Sequence, residues 1–224
     1  MCRNGHRQYY PTLMLFKFKI QQYQTDAVEN TVAVFNGQPS HKVAAEYRMD
    51  KGKVFHQNMF DSDTGYCNHH LELDEKTLLK NINSIQNRND IELSSSLSKG
   101  LGDVNLDIEM ETGTGKTYVY IKTMFELNKQ YGWSKFIIVV PSIAIREGVA
   151  KSFDMLEEHF MEHYGKKARR FIYNSGNLQQ LDSYSSDFGL NVMIINTQAF
   201  ASSMKEGGSS KESKIIYSKR DEFG

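Results

Sequence analysis

The sequence predicts an α/β protein in which helices flank a mainly parallel sheet. From residue 104 onward, short Val- and Ile-rich runs alternate with segments of helical periodicity. Apolar strands that alternate with helices are typical of βαβ units, whose parallel sheet is buried. The pattern predicts strands at 104–110, Lys135–Val140, 169–174 and Asn191–Asn196, helices at 117–129 and 144–164, and a polar loop at 175–190.

Composition limits the size and the class of the protein. The 224 residues suffice for one sizeable domain with a smaller lobe. The chain has no run of about 18 apolar residues and no N-terminal signal segment, which predicts a cytoplasmic protein without a membrane span. Lys and Arg together number 27, as do Asp and Glu, so contact with nucleic acid would require a local groove.

The sequence divides into five regions. A helix is predicted within "QYQTDAVENTVAVF", ended by Asn36-Gly37, and a second within "DEKTLLKNINSIQ". Short strands are predicted at 42–47 and 53–60. The regions are a mobile tail (1–15), an N-terminal segment (16–39), an inserted or accessory region (40–103), an α/β lobe (104–200) and a polar linker (201–224).

The loop after the strand predicted at 104–110 has the composition of a phosphate-binding turn. Its glycines allow positive φ and close backbone approach, so that amide groups at a helix N-terminus can converge on phosphate oxygens. Lys116 adds a mobile cation for the β- and γ-phosphates and is the expected catalytic residue, and the Thr117 hydroxyl is placed to ligate Mg²⁺. The alternative is a glycine-rich turn with an incidental lysine. ATP and Mg²⁺ are therefore the expected cofactors, and the nucleotide-binding residues on this loop are Thr112, Gly113, Thr114, Gly115, Lys116 and Thr117.

The loop departs from the general pattern G-x-x-x-x-G-K-[ST], because Met110 stands where the first glycine is expected. With this departure, "METGTGKT" resembles the first motif of superfamily-two helicases and translocases. The longer stretch "LDIEMETGTGKTYVYIKTMFELNKQYGWSKFIIVVPSIAIREGV" resembles the motor region of the Res subunit of type III restriction-modification enzymes. The resemblance spans residues 16–223, is strongest over 106–200, and implies a recA-like lobe with a P-loop.

The resemblance also implies residues that contact the base and the nucleic acid. Gln24, in "QQYQTDAV", is similar to the glutamine of the family's adenine-reading motif, and Tyr23 would be a packing partner for the base. Without the resemblance, Gln24 reads as a surface residue at a helix start. Two segments that follow parallel strands resemble the family's DNA-tracking loops, whereas composition alone would make them ordinary strand ends. Their expected nucleic-acid contacts are Pro141, Ser142, Arg146, Thr197 and Gln198.

The resemblance implies the motor part of a type III restriction endonuclease, in which ATP-dependent translocation along double-stranded DNA is coupled to cleavage. The partner would be the modification methyltransferase subunit. Asp221 and Glu222 follow a cationic segment and are interpreted as linker, so we expect the acidic motif, the second lobe and the nuclease to lie outside this sequence. On this basis the isolated chain would bind ATP but be inactive or nearly so. The alternatives are another superfamily-two translocase, or a non-catalytic nucleotide- or DNA-binding remnant.

Two other clusters favour ordinary structural roles. The basic run "GKKARR" is more typical of a solvated helix end than of a DNA clamp. The run "CNHH" at residues 67–70 lacks a second pair of ligands at a spacing that zinc requires.

Overall fold

The computed structural model describes residues 19–40, 67–98, 104–173 and 179–199. Within these ranges the chain forms five helices and three strands, and each strand is connected to the next through a helix. In chain order they are α1 (Gln22–Ala33), α2 (Glu75–Arg88), α3 (Lys116–Tyr131), β1 (Lys135–Val140), α4 (Ile143–Tyr164), β2 (Arg169–Ile172), α5 (Gln179–Ser186) and β3 (Asn191–Asn196).

The three strands form one parallel sheet with the order β1-β3-β2. The central position of β3 follows from its sequence, since "NVMIIN" is apolar at consecutive positions and all but its last residue are buried. The register pairs Lys135 with Asn191 and Val140 with Asn196, so β1 and β3 begin and end together. The predicted α/β class with a mainly parallel sheet flanked by helices is confirmed.

Alternate side chains of β3 point to opposite faces of the sheet, as the two-residue period of a strand requires. Val192 and Ile194 pack in a cluster with residues of α3 and α4, including Phe125 and Phe160. Met193 and Ile195 pack on the other face with Leu181 and Tyr184 of α5. The sheet is therefore covered on both faces.

Helix α1 lies against α3 and not against the sheet. Val28 and Val32 of α1 form a cluster with Val119 and Tyr131 of α3. The Tyr131 hydroxyl donates a hydrogen bond to the Val32 carbonyl at 3.2 Å. The Lys122 ammonium group donates to the Thr25 hydroxyl at 3.4 Å. These contacts fix α1 along the helix that begins at the phosphate loop.

The structure corrects two predictions, one for residues 104–110 and one for residues 175–190. Residues 104–110 do not form a strand, although Val104, Leu106, Ile108 and Met110 alternate with polar residues as a strand would. In the described part of the chain this segment belongs to no ladder, and 47% of the Ile108 surface remains exposed. An alternating pattern indicates which side chains share a face, but a strand also needs a neighbour for its backbone groups.

The predicted polar loop at 175–190 contains α5, which the sequence analysis missed. Its apolar signal consists of Leu181 and Tyr184, which lie three residues apart and are both buried. Strand β2 ends at Ile172, two residues before the predicted end at 174.

Several predictions fall outside the described residues: the tail at 1–15, the strands at 42–47 and 53–60, and the linker at 201–224. The division into five regions therefore stays a prediction. Among the described helices, none is both long and apolar enough to span a membrane.

Candidate nucleotide site and nucleic-acid edge

The loop between residue 110 and α3 has the backbone geometry of an anion-binding turn. Gly113 and Gly115 have φ angles of +82° and +88°, in the left-handed region that glycine enters without a Cβ clash. Gly115 is the N-cap of α3, so the loop leads directly into the positive end of the helix dipole. The first turn of α3 contains no acidic residue that would repel an anion. These features suit a phosphate group placed before the helix.

The carbonyl oxygen of Glu111 organises the cationic side of this loop. It accepts hydrogen bonds from the Thr114 hydroxyl at 2.7 Å and from the Lys116 ammonium group at 2.8 Å. Lys116 is exposed, and its bond to a neutral carbonyl can be exchanged for a stronger bond to a charged phosphate oxygen. The loop thus holds its lysine close by through a hydrogen bond to a neutral group.

The loop is open at Gly113, and its threonines differ in exposure. A Cβ atom built on Gly113 would meet no atom within 4 Å, so the backbone is open there. Thr112 is exposed, and Thr117 is half-buried in the first turn of α3. The Thr117 hydroxyl is the group that would ligate Mg²⁺ in a bound ATP–Mg complex. Among the described residues no cluster of three or more His, Cys, Asp or Glu side chains could hold a metal by itself.

Helix α1 reaches the loop through two side chains. The Gln24 Nε2 atom donates to the Thr114 carbonyl oxygen at 2.8 Å, and the Tyr23 hydroxyl donates to the same oxygen at 3.1 Å. One N–H of the Gln24 amide is therefore committed to the loop, while its second N–H and its Oε1 remain for a base. Reading of adenine by Gln24 stays a prediction.

Tyr23 makes a contact with the loop that the sequence analysis did not predict. Its hydroxyl donates to the loop backbone 91 residues further along the chain, while packing of its ring against a base stays a prediction. No local pattern signals such a contact. Gly115 shows the same proximity, because a Cβ atom there would lie 2.5 Å from Gln24 Nε2.

The two segments predicted to contact nucleic acid meet at one edge of the sheet. Pro141 follows Val140, Thr197 follows Asn196, and these two strand ends are partners in the register. Ser142 is the N-cap of α4, and its Oγ accepts a hydrogen bond from the Ile145 amide at 3.3 Å. Thr197 and Gln198 are exposed. Polar groups from both loops therefore share the carboxyl edge, where open α/β sheets bind ligands.

The guanidinium group of Arg146 is engaged within α4. Its Nη2 and Nε atoms donate to Glu147 Oε1 at 3.1 and 3.3 Å, and its side chain is only 20% exposed. A phosphate that binds Arg146 must therefore compete with an adjacent carboxylate.

The cations of "GKKARR" have partners in the structure. Lys166 donates to the Asn128 side chain, Lys167 to Glu157 and Arg170 to Asp154, while Arg169 is paired with Asp187. The ion pairs of Lys167, Arg169 and Arg170 are exposed and contribute little to stability, but they leave the run less available to DNA.

The run at 67–70 anchors the chain to the start of β1. The Asn68 side chain donates to the Lys135 carbonyl at 2.7 Å and accepts from the Ser134 and Lys135 amides at 2.8 and 2.9 Å. The His69 carbonyl accepts from the Trp133 indole at 3.0 Å. The contacts are those of a structural anchor.

A protein family described as "Type III restriction enzyme, res subunit" matches residues 17–222 of the chain. The chain belongs to the type III Res subunit family. This result confirms the resemblance that was based on the residues around the phosphate loop. It also makes the three-stranded sheet part of a recA-like Res domain.

Individual Res subunits align with part of the chain. The Res subunit of the type III restriction-modification enzyme EcoP15I from Escherichia coli is 41% identical over 111 residues, which are 49% of this chain and 11% of the relative. The EcoPI Res subunit of Escherichia phage P1 is 41% identical over 110 residues, with 48% and 11% covered. The StyLTI Res subunit of Salmonella typhimurium is 52% identical over 63 residues, with 27% and 6% covered. The aligned part of the chain thus corresponds to about a tenth of the length of the EcoP15I and EcoPI Res subunits.

Proposed function

We propose that this chain forms the ATP-binding and DNA-contacting motor part of a type III restriction endonuclease. The observation that carries the proposal is the loop at residues 111–117. It combines two glycines in the left-handed region, a first helical turn without acidic residues, and an exposed lysine whose ammonium group donates to a carbonyl oxygen. Because the chain belongs to the Res family, we propose that the loop acts in the ATP-dependent step of a restriction enzyme.

The loop would bind the triphosphate through its backbone and the lysine. Amide groups near Gly113 and Gly115 would donate to phosphate oxygens, and the ammonium group of Lys116 would leave the Glu111 carbonyl to bind the β- and γ-phosphates. Mg²⁺ would neutralise charge on the phosphates, with the Thr117 hydroxyl as one of its ligands. Gln24 would read the adenine edge with the amide atoms that are not bound to the loop.

Calorimetric titration of the 224-residue chain with ATP and Mg²⁺ tests nucleotide binding. We expect saturable binding at one site, weakened about tenfold or more by Lys116→Ala, because a charge-assisted hydrogen bond to phosphate is lost. Lys129→Ala is the matched control, since Lys129 lies at the other end of α3. Equal affinity of the Lys116→Ala variant and the wild type would overturn the assignment of the loop.

We further propose that the carboxyl edge of the sheet contacts the DNA backbone. In support, exposed polar groups at Ser142, Thr197 and Gln198 follow strands that end side by side. Hydroxyl, amide and guanidinium groups donate to phosphate oxygens without reading sequence. Arg146 would supply the positive charge once it exchanges Glu147 for a phosphate.

Removal of the competing carboxylate tests this edge. Glu147→Gln should tighten binding to a DNA duplex about two- to fivefold, whereas Arg146→Gln should weaken it and lower the slope of log affinity against log salt by roughly one. Glu158→Gln removes an equal charge further along the exposed side of α4 and controls for net charge. An equal gain in Glu158→Gln and Glu147→Gln would refute a specific role for this edge.

The activity of the whole enzyme is also a proposal. The relatives are named as Res subunits of restriction-modification enzymes, and we infer a partnership with a modification methyltransferase subunit and ATP-dependent translocation that leads to DNA cleavage. Co-purification with that subunit tests the partnership. An ATPase assay with and without duplex DNA separates a motor from a chain that only binds nucleotide or DNA.

A further inference from the structure

We propose that Tyr23 and Gln24 form a latch that orients the phosphate loop, so that Tyr23 is a positioning residue for triphosphate binding. The inference rests on the proposed nucleotide site and goes beyond base reading, since it concerns the phosphates. Its basis is the geometry of one peptide group, the one that joins Thr114 to Gly115.

The carbonyl of this peptide group is fixed from the side of α1. Its oxygen accepts one hydrogen bond from the Gln24 amide at 2.8 Å and one from the Tyr23 hydroxyl at 3.1 Å. A carbonyl oxygen has two lone pairs, so these two donors use its full capacity. The acceptor is a carbonyl, which settles that the NH₂ end of Gln24 faces the loop.

The N–H group of the same peptide consequently points away from α1. The chain contains no cis peptide bond in its described part, and in a trans peptide the C=O and N–H bonds point in opposite directions. The Gly115 N–H therefore faces the opposite side of the loop from Tyr23 and Gln24. It is available to a phosphate oxygen before α3 begins.

The latch rests on a rigid base. Helix α1 is fixed to α3 by the cluster of Val28, Val32, Val119 and Tyr131, and α3 starts at the loop itself. Since the donors and the loop belong to one packed unit, the peptide orientation is set before a ligand arrives. An orientation set in advance lowers the entropic cost of binding.

The backbone at position 115 favours glycine, and a side chain there would also have to displace the end of Gln24. The φ of +88° at Gly115 disfavours a side chain, and a Cβ atom would lie 2.5 Å from Gln24 Nε2. Gly113, with a similar φ, has open space at the equivalent point. The close approach of Gln24 is thus specific to the peptide that the latch orients.

The test uses inorganic tripolyphosphate, which has no base, alongside ATP and GTP. Tyr23→Phe removes only the hydroxyl of a side chain that is 48% exposed. The substitution should weaken the binding of all three ligands by the same factor, about three- to tenfold. The ratios of their dissociation constants should stay unchanged. Tyr164→Phe is the matched control, because it removes a hydroxyl that donates to Glu126 Oε1 at 2.7 Å, outside the cluster that holds α1 on α3.

Each outcome decides one question. If Tyr23→Phe weakens the binding of ATP alone, Tyr23 contacts the base and the latch is overturned. Unchanged affinity for all three ligands, or an equal loss of affinity in Tyr164→Phe, would also overturn it. The Gly115 amide resonance supplies a readout that a general loss of stability does not move. Its shift in Tyr23→Phe before ligand is added supports the latch, and no shift contradicts it. If the wild type binds no triphosphate, the proposed nucleotide site fails instead.

Discussion

At the scale of single residues, Gly113 and Gly115 look equivalent in the sequence but differ in their surroundings. Both have positive φ, so a side chain at either position costs about 1–2 kcal/mol of backbone strain. A Cβ atom at Gly115 also collides with Gln24, whereas one at Gly113 meets nothing within 4 Å. A comparison of alanine substitutions at the two positions therefore distinguishes the cost of backbone strain from the cost of steric contact with Gln24.

Gly115→Ala should lower the free energy of unfolding more than Gly113→Ala does. The excess should disappear in a Gln24→Ala background, because the atom that collides is then absent. Urea denaturation of the single and double variants measures this coupling. Equal losses for the two alanine variants, or a loss at Gly115 that persists without Gln24, would show that the contact is unimportant.

At the scale of secondary structure elements, the start of β1 is held by the Asn68 side chain, which makes the hydrogen bonds that a neighbouring strand would otherwise provide. Asn68 satisfies two amides and one carbonyl where the chain enters the strand, at Ser134 and Lys135. Ser134 is fully buried, so these groups have no ready access to water. Asn68 thereby satisfies three backbone groups at the amino end of β1.

We expect Asn68→Ala to lower the free energy of unfolding by about 2–3 kcal/mol, because buried backbone groups lose their partners. Thermal or urea denaturation measures the loss. Asn87→Ala, on the exposed side of α2, is the matched control and should change stability by less than about 0.5 kcal/mol. A loss of the same size in both variants would contradict this role of Asn68.

The packing of α3 on α4 includes a titratable pair. The Tyr118 hydroxyl and His159 Nε2 are 3.1 Å apart, with Lys122 of α3 and His163 and Glu162 of α4 nearby. Burial lowers the pKa of His159, and the positive charges of His163 and Lys122 lower it further, while Glu162 opposes them. The folded state therefore binds this proton less readily than the unfolded state does.

It follows that His159 destabilises the fold in acid. Between the unfolded pKa near 6.5 and the lower folded pKa, the unfolded state holds more protons, so stability falls as the pH falls through this window. His159→Gln, whose amide can still bond Tyr118, should lose less stability between pH 7.5 and pH 5 than the wild type. Denaturation at the two pH values measures this, with His70→Gln as an exposed control. An unchanged pH dependence in His159→Gln would refute the assignment.

At the scale of the whole molecule, the sequence predicted the parts of the fold that depend on local apolar runs. The bounds of β1 and β3 follow from "KFIIVV" and "NVMIIN", because each run is bordered by polar or turn-forming residues. Helix α5 escaped prediction because eight residues with two buried apolar positions give little periodic signal. The strand predicted at 104–110 failed because pairing depends on a neighbour, which a local pattern does not reveal.

In the candidate site too, features set by consecutive residues were predictable, whereas contacts between distant residues were not. The glycine turn before α3 was predictable because its residues are consecutive in the chain. The Tyr23 and Gln24 contacts with Thr114 span about 90 residues and depend on how α1 lies on α3. The pairing of Arg146 with Glu147 was equally hidden, since adjacent charges in a helix meet only in certain rotamers.

We propose that the amides of the loop at residues 111–117 bind the phosphates of ATP. Titration of glycine-labelled protein with ATP and Mg²⁺, followed by amide nuclear magnetic resonance, would detect this binding at each amide. We predict that the Gly113 and Gly115 amide resonances shift saturably, whereas those of Gly132 and Gly165, which cap the far ends of α3 and α4, stay in place. Binding that leaves the Gly113 and Gly115 amides unshifted, or the absence of binding, would contradict the claim.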